Sequence, residues 1–300
     1  MPADTPTAIA PEPGVAKPDP ILVVDGVRRS FGGLTAVDVA HLEVQRGTIT
    51  SLIGPNGAGK TTFFNLMTGF DEPNAGRWSF RPRAGGEVSL SGMAPHRVAR
   101  AGMVRTFQLT KSLTRMTVIE NMLLGAPTNP GERFLTSLLP GTWRSYEREI
   151  TERADELLVR FKLDHMREEY AGTLSGGQRK LLEMARSLMV TPELVMLDEP
   201  MAGVNPALTQ SLLEHVKGLR EEGMTVVFVE HDMDVVMEIS DWVVVMAQGK
   251  VISEGPPDHV ASDRTVIEAY LGGDDSYGTE APADAGGPAD PAEPATEEQP

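Results

Sequence analysis

The chain has 300 residues and a mass of 32.4 kDa, and 40% of its residues are apolar. That is enough for a sizeable core, so wholesale disorder is excluded, and the length fits one large domain or one core carrying an inserted subdomain. Forty-three acidic against 27 basic residues leave a formal charge of −16, which argues against a protein held by nucleic-acid phosphates. With no cysteine in the chain, disulfides, thiol catalysis and cysteine-ligated zinc are excluded.

Residues 1–20 carry six prolines and little that could pack, so they read as a disordered tail. The start lacks the basic and apolar segments of a signal peptide, and no apolar run approaches the ~20 residues of a spanning helix, so a cytoplasmic chain is expected. ILVVDGVRRSF and LTAVDVAHLEV are β-like runs joined by Gly32-Gly33, which predicts a hairpin. TITSLIG (48–54) reads as a buried strand that breaks at a glycine-rich turn and feeds KTTFFNLMTGF, a helical pattern. Two strands are expected over 77–80 and 87–90 around Gly85-Gly86, then a helix over 94–102. Residues 113–125 and 145–170 are helical by pattern, with a loop over 127–143 between them. LVML (194–197) and TVVFV (225–229) are buried-strand runs that each follow a helix, and WVVVMAQGKVISEG (242–255) is two strands around a turn. Residues 273–300 hold eight acids and no base, and read as a disordered, solvating tail. Helices between apolar strand runs predict a parallel sheet with crossovers. The expected whole is an α/β core with a small β-layer near its start and a helical insertion in its middle.

Three motifs carry chemistry. Gly54-Pro55-Asn56-Gly57-Ala58-Gly59-Lys60-Thr61-Thr62 fits G-x-x-x-x-G-K-[ST] between a predicted strand and a predicted helix. Its glycines let backbone N–H groups converge on phosphate oxygens, and the helix N-terminus adds its positive end. Lys60 would reach the β- and γ-phosphates, and Thr61 would offer its hydroxyl to Mg²⁺. LVML then runs into Asp198-Glu199-Pro200, placing two carboxylates at the C-terminal end of a buried strand, where open α/β sheets bind ligands. Alone, such a pair is more often merely solvated. Beside a phosphate loop, Asp198 is placed to hold Mg²⁺ and Glu199 to act as general base on an attacking water. Third, Leu174-Ser175-Gly176-Gly177-Gln178 precedes an amphipathic helix; Ser-x-x-Gln is a capping box, and the two glycines strip side chains from a helix N-terminus and make it an anion site.

GPNGAGKTT, Gln108 in VRTFQ, LSGGQ, LVMLDEP and His231 in VEHDM resemble, in order and spacing, the ATP-binding subunit of ABC transporters, over about residues 21–272. The resemblance implies a phosphate-loop NTPase core, an antiparallel β-subdomain and a helical subdomain at about 109–190. It also implies two copies packed head to tail, with ATP and Mg²⁺ sandwiched between residues 54–62 of one and Ser175, Gly176, Gly177 and Gln178 of the other. Gln108 would sense Mg²⁺ and the attacking water and link the core to the helical subdomain. His231 would orient the water and the γ-phosphate; its other reading is a hydrogen-bonded strand-end histidine. Phe31 falls where the family stacks an aromatic ring on adenine, and a place in the hairpin core is the competing reading. Ala202-Gly203-Val204-Asn205 departs from the family's usual Ser-Ala-Leu-Asp and removes a charge from a cross-subunit contact.

VRTFQ, AGVNP, EHDMDVVM and VIEAYLGG resemble the branched-chain amino-acid uptake subgroup, which includes urea and amide importers. That likeness implies integral-membrane permease subunits, a second ATP-binding subunit, an extracytoplasmic solute-binding protein, no nucleic acid, and a peripheral place on the cytoplasmic face of the membrane. An exporter-type ATPase for lipid or lipopolysaccharide, a soluble non-transport ABC ATPase and a non-hydrolysing nucleotide-binding module are the alternatives. Glu199 and His231 argue against the last.

Overall fold

Two twelve-residue runs, β1 (Pro20–Phe31) and β2 (Leu34–Gln45), pair antiparallel across Gly32, whose φ of +59° suits the reversal. The computed structural model describes residues 9–106, 113–127 and 140–271. After the hairpin come β3 (Ile49–Ile53), α1 (Lys60–Met67), β4 (Ala75–Phe80), β5 (Val88–Ser89), α2 (Pro95–Ala101) and β6 (Met103–Arg105). The middle of the chain forms α3 (Val118–Leu123), α4 (Pro140–Arg160) and α5 (Gly176–Ser187). The rest alternates: β7 (Leu194–Asp198), α6 (Pro206–Glu221), β8 (Thr225–Val229), α7 (Met233–Ile239), β9 (Trp242–Ala247), β10 (Lys250–Gly255), α8 (Pro257–Ser262) and α9 (Arg264–Leu271).

The strands form two sheets. One is antiparallel, in the order β2-β1-β4-β5; the other, in the order β10-β9-β3-β8-β7-β6, is parallel except for its edge strand β10. Strands of the parallel sheet are apolar on both faces because both faces are covered. Alternate residues enter two different cores: Ile49, Val195, Leu197, Val226, Phe228, Val243 and Val245 face the α3–α7 side. Leu52, Leu194, Met196, Val227, Val229, Val244 and Met246 instead pack with Phe63 and Phe64 of α1 and with Trp78 and Phe80 of the antiparallel sheet. The helical middle closes on itself: Ile150, Ala154, Leu157 and Leu158 recur at helical spacing on α4 and, with Phe161 just past its end, meet Val118, Ile119 and Met122 of α3 and Leu181, Leu182 and Ala185 of α5.

The structure departs from the sequence expectations at several boundaries. The helix expected over 113–125 begins only at Val118, because Thr117 and Glu120 form a reciprocal capping box. The helix expected over 145–170 already runs from Pro140 and ends at Arg160; Lys162 turns left-handed at φ +56°, which no α-helix continues through. Helix therefore replaces the last part of the loop expected over 127–143, and residues 128–139 lie outside the described residues. The tail expected over 1–20 is wrong for its second half. Lys17 is buried, its Nζ donates to Glu254 Oε2 at 3.0 Å and lies 3.7 Å from the centre of the Trp242 ring, and its N–H donates to Glu43 Oε2. Gly14 and Val15 donate to Glu254 Oε1. Composition suggested nothing to pack, yet one lysine finds a buried carboxylate. Residues 273–300 lie outside the described residues.

Candidate functional site

The loop over residues 54–59 joins β3 to α1 in a form that only glycine allows at its two ends. Gly54 has φ +147° and a Cβ there would sit 2.0 Å from the Met246 carbonyl oxygen; Gly59 has φ +99° and its Cβ would sit 2.1 Å from the Ala36 carbonyl oxygen. Ala58 is buried and its carbonyl accepts the Gly249 N–H at 3.0 Å, which pins the loop to the β9–β10 turn. Asn56 and Gly57 stand out towards solvent, as does Thr61 on the first turn of α1, while Pro55 and Thr62 are half-buried. No side chain caps α1, so its N-terminal amides are open to an anion. Lys60 folds back instead: Nζ donates to Gly54 O at 2.6 Å and Pro55 O at 3.1 Å. Burial pushes its amine down from the usual lysine range, and the carboxylates of Glu199 and Asp198 push it back up.

Those carboxylates stand at the end of β7. Asp198 is buried; its Oδ2 accepts Arg105 Nη2 at 2.6 Å, while its Oδ1 has no partner among the described residues. Arg105 comes from the neighbouring strand β6, and its Nη1 donates to Asn65 Oδ1 of α1 at 2.6 Å. Glu199 turns out of the strand at φ +47°, unfavourable for a residue with a Cβ by on the order of 1–3 kcal/mol. Its N–H still donates to Val229 O at 3.1 Å, and its Oε1 lies 2.7 Å from His231 Nε2. An ionised carboxylate only accepts, so this bond places a proton on Nε2. Between them Glu230 is buried; burial pushes its carboxyl up, opposed by hydrogen bonds from the Met201 and His231 amides at 2.8 and 3.2 Å.

Ser175 and Gln178 form the capping box, with Gln178 N–H to Ser175 Oγ at 3.3 Å and Ser175 N–H to Gln178 Oε1 at 2.9 Å. The two glycines have different reasons. Gly176 faces open space, whereas a Cβ on Gly177 would lie 1.6 Å from Leu208 Cδ2 of α6. A Cβ on Gly177 would therefore have to push the Leu208 side chain aside, so packing inside the chain also favours glycine there. Asn205 caps α6, its Oδ1 accepting Leu208 N–H at 3.0 Å. Phe31 is half exposed beneath the Arg29 guanidinium, 4.5 Å from its ring centre, so it is not a hairpin-core residue. Lys60, Asp198, Glu199 and His231 converge. Among the described residues no hydrogen bond or ion pair joins residues 175–178 to residues 54–62, and Gln108 lies outside the described residues.

A family model described as "ABC transporter" matches residues 37–202, and one described as "Branched-chain amino acid ATP-binding cassette transporter" matches residues 250–276. The chain belongs to the ABC transporter family. The cassette is 42% identical over 256 residues to a probable branched-chain amino acid transport ATP-binding protein, LivG, of Archaeoglobus fulgidus, covering 85% of this chain and 97% of the relative. It is 43% identical over 255 residues to the high-affinity branched-chain amino acid transport ATP-binding protein BraF of Pseudomonas aeruginosa, covering 84% and 98%. Among solved structures, a nucleotide-free ATP-binding cassette from an ABC transporter superposes with a TM-score of 0.72 at 38% identity, covering 84% and 98%. The ADP conformation of an ATP-binding cassette matches equally well, at 0.72 and 38%, covering 84% and 99%. The cassette therefore binds nucleotide and hydrolyses ATP, and as the ATPase subunit of a transporter it works in pairs with membrane permease subunits. No helix among the described residues is long and apolar enough to cross a membrane.

Sequence reasoning missed Arg105. It sits three residues before Gln108 in VRTFQ, where a short strand was not read, and an arginine there carries no signal until β6 is placed beside β7.

Proposed function

We propose that the cassette powers an ABC importer for branched-chain amino acids, taking up its substrate with a solute-binding protein outside the cell and lying peripherally on the cytoplasmic face of the membrane. The names of the relatives and the match over residues 250–276 favour this over the exporter and non-transport alternatives. In the working pair, ATP lies between residues 54–62 of one cassette and residues 175–178 of the other, with Phe31 stacked on adenine. The permease docks in the groove of about 820 Å³ between α2, α3 and α4, lined by His96, Leu123, Tyr146 and Ile150.

Mg²⁺ fits the residues present. Asp198 Oδ1 is a buried acceptor without a partner among the described residues, and Thr61 offers an exposed hydroxyl near the loop. One carboxylate and one hydroxyl suit a metal held largely by phosphate oxygens and water, with Gln108 as a further donor. When bound, the ion neutralises charge on the phosphates. Lys60 leaves the loop carbonyls for the β- and γ-phosphates. Glu199 takes the proton of the attacking water, and His231 holds that carboxylate and orients the water against the γ-phosphate.

The bond of 2.7 Å between Glu199 Oε1 and His231 Nε2 carries this reading, because it joins base and orienting group beside the phosphate loop. Glu199→Gln keeps size and hydrogen bonding but cannot accept a proton. Its turnover is expected to fall about 10²-fold or more, with ATP binding retained and an ATP-dependent dimer visible by size exclusion. Turnover like that of the unaltered chain would place the base elsewhere, with His231 the first suspect.

A further inference from the structure

Lys180 follows Gln178 by two positions on α5, and its ammonium points into the turn that leaves β7. Nζ donates to Glu199 O at 3.1 Å, Pro200 O at 3.0 Å and Ala202 O at 2.5 Å. An ammonium has three protons, so this one is fully engaged by its own chain. A lysine present for solubility would keep its head in water. Here burial pushes the amine down, while the carboxylates of Glu230, Glu183 and Glu199 push it back up. On the other side of the turn, Glu230 Oε1 accepts the Met201 N–H at 2.8 Å. The turn is thus gripped from α5 through its carbonyls and from the end of β8 through an amide.

Glu199 needs such a grip. Its left-handed φ of +47° persists only when the surroundings impose it. We propose that Lys180 is a positioning residue for ATP hydrolysis: it fixes the backbone of Glu199, and through it the carboxylate, from the helix that carries the signature. The proposal rests on the reading of Glu199 as the base. It has a consequence for the pair of cassettes. In the proposed pair the N-terminus of α5 faces the nucleotide bound by the partner cassette, so a shift of α5 on that nucleotide would act, through Lys180, on the base of its own chain.

The test uses the full chain, with steady-state MgATP turnover and ATP affinity measured for Lys180→Met, Lys180→Arg, Glu199→Gln and the double variant Lys180→Met/Glu199→Gln. Lys180→Met is expected to lower kcat about tenfold with KM within about twofold, the pattern of a lost contribution to the chemical step alone. Lys180→Arg, which restores donors, is expected to recover most of that loss. The double variant is expected to be no slower than Glu199→Gln, because Lys180 has nothing left to position. Four results overturn the proposal: unchanged kcat in Lys180→Met, an equal loss of ATP affinity, no recovery in Lys180→Arg, or a double variant slower than Glu199→Gln. Failure of the base reading is seen separately, as full turnover in Glu199→Gln with Lys180 intact.

Discussion

Two buried ion pairs stand at opposite edges of the six-stranded sheet. Arg105–Asp198 joins β6 to β7 at one edge, and Lys17–Glu254 ties the N-terminal segment to β10 at the other. Glu254 is complete: Oε1 accepts the Gly14 and Val15 amides, and Oε2 accepts Lys17 Nζ and the Trp242 indole at 2.8 Å. Among the described residues Asp198 is incomplete, with Oδ1 lacking a partner, and so is the Nε of Arg105. A buried polar atom without a partner costs roughly 1–3 kcal/mol, so a fold tolerates it where a ligand later supplies the missing bond. The difference teaches where to look. The satisfied pair serves the fold, and the unsatisfied one serves the chemistry.

Two substitutions test that contrast. Glu254→Ala leaves the Lys17 ammonium and the Trp242 N–H buried without an acceptor, and should cost about 3–5 kcal/mol of stability. Chemical denaturation reads this, and kcat per folded molecule should stay within about twofold. Asp198→Asn should do the reverse. Turnover falls about 10²-fold, while the denaturation midpoint moves much less than in Glu254→Ala. If Asp198→Asn proves the more unfolded of the two, the division between fold and chemistry does not hold. The smallest effect separates the two signature glycines. Gly177→Ala drives a Cβ towards Leu208 and should lose about 1–3 kcal/mol through overpacking. Gly176→Ala meets open space and should change stability by less than about 0.5 kcal/mol. Equal losses in thermal unfolding would show that the Leu208 contact relaxes freely.

Much of this was legible in the sequence because apolar runs of parallel strands have few other uses. LVML and TVVFV became β7 and β8, and the glycine-rich run between a strand and a helix became the phosphate loop. The convergence of Lys60, Asp198, Glu199 and His231 followed from motif order and the rule that ligands gather at C-terminal strand ends. What stayed hidden depends on contacts distant in sequence. Arg105 matters only because β6 lies beside β7, and Lys17 only because Glu254 is buried 237 positions away. That Gly177 also lies against Leu208 is a contact the motif alone does not reveal. Some of the miss was avoidable: Thr117-x-x-Glu120 is a readable capping box and marked the true start of α3.

The clasp formed by Lys17 also bears on how the protein is made. Lys17 leaves the ribosome early, and its partner Glu254 is synthesised 237 residues later. At roughly 5–20 residues per second, the lysine waits roughly 12–47 seconds for its carboxylate. Until β10 arrives, the segment before β1 is tied only to the first hairpin, through bonds such as that from the Lys17 N–H to Glu43. The clasp therefore marks the arrival of β10: a nascent chain cut short anywhere before Glu254 holds its N-terminal arm less firmly and leaves it open to proteases, while one that has made β10 draws that arm in.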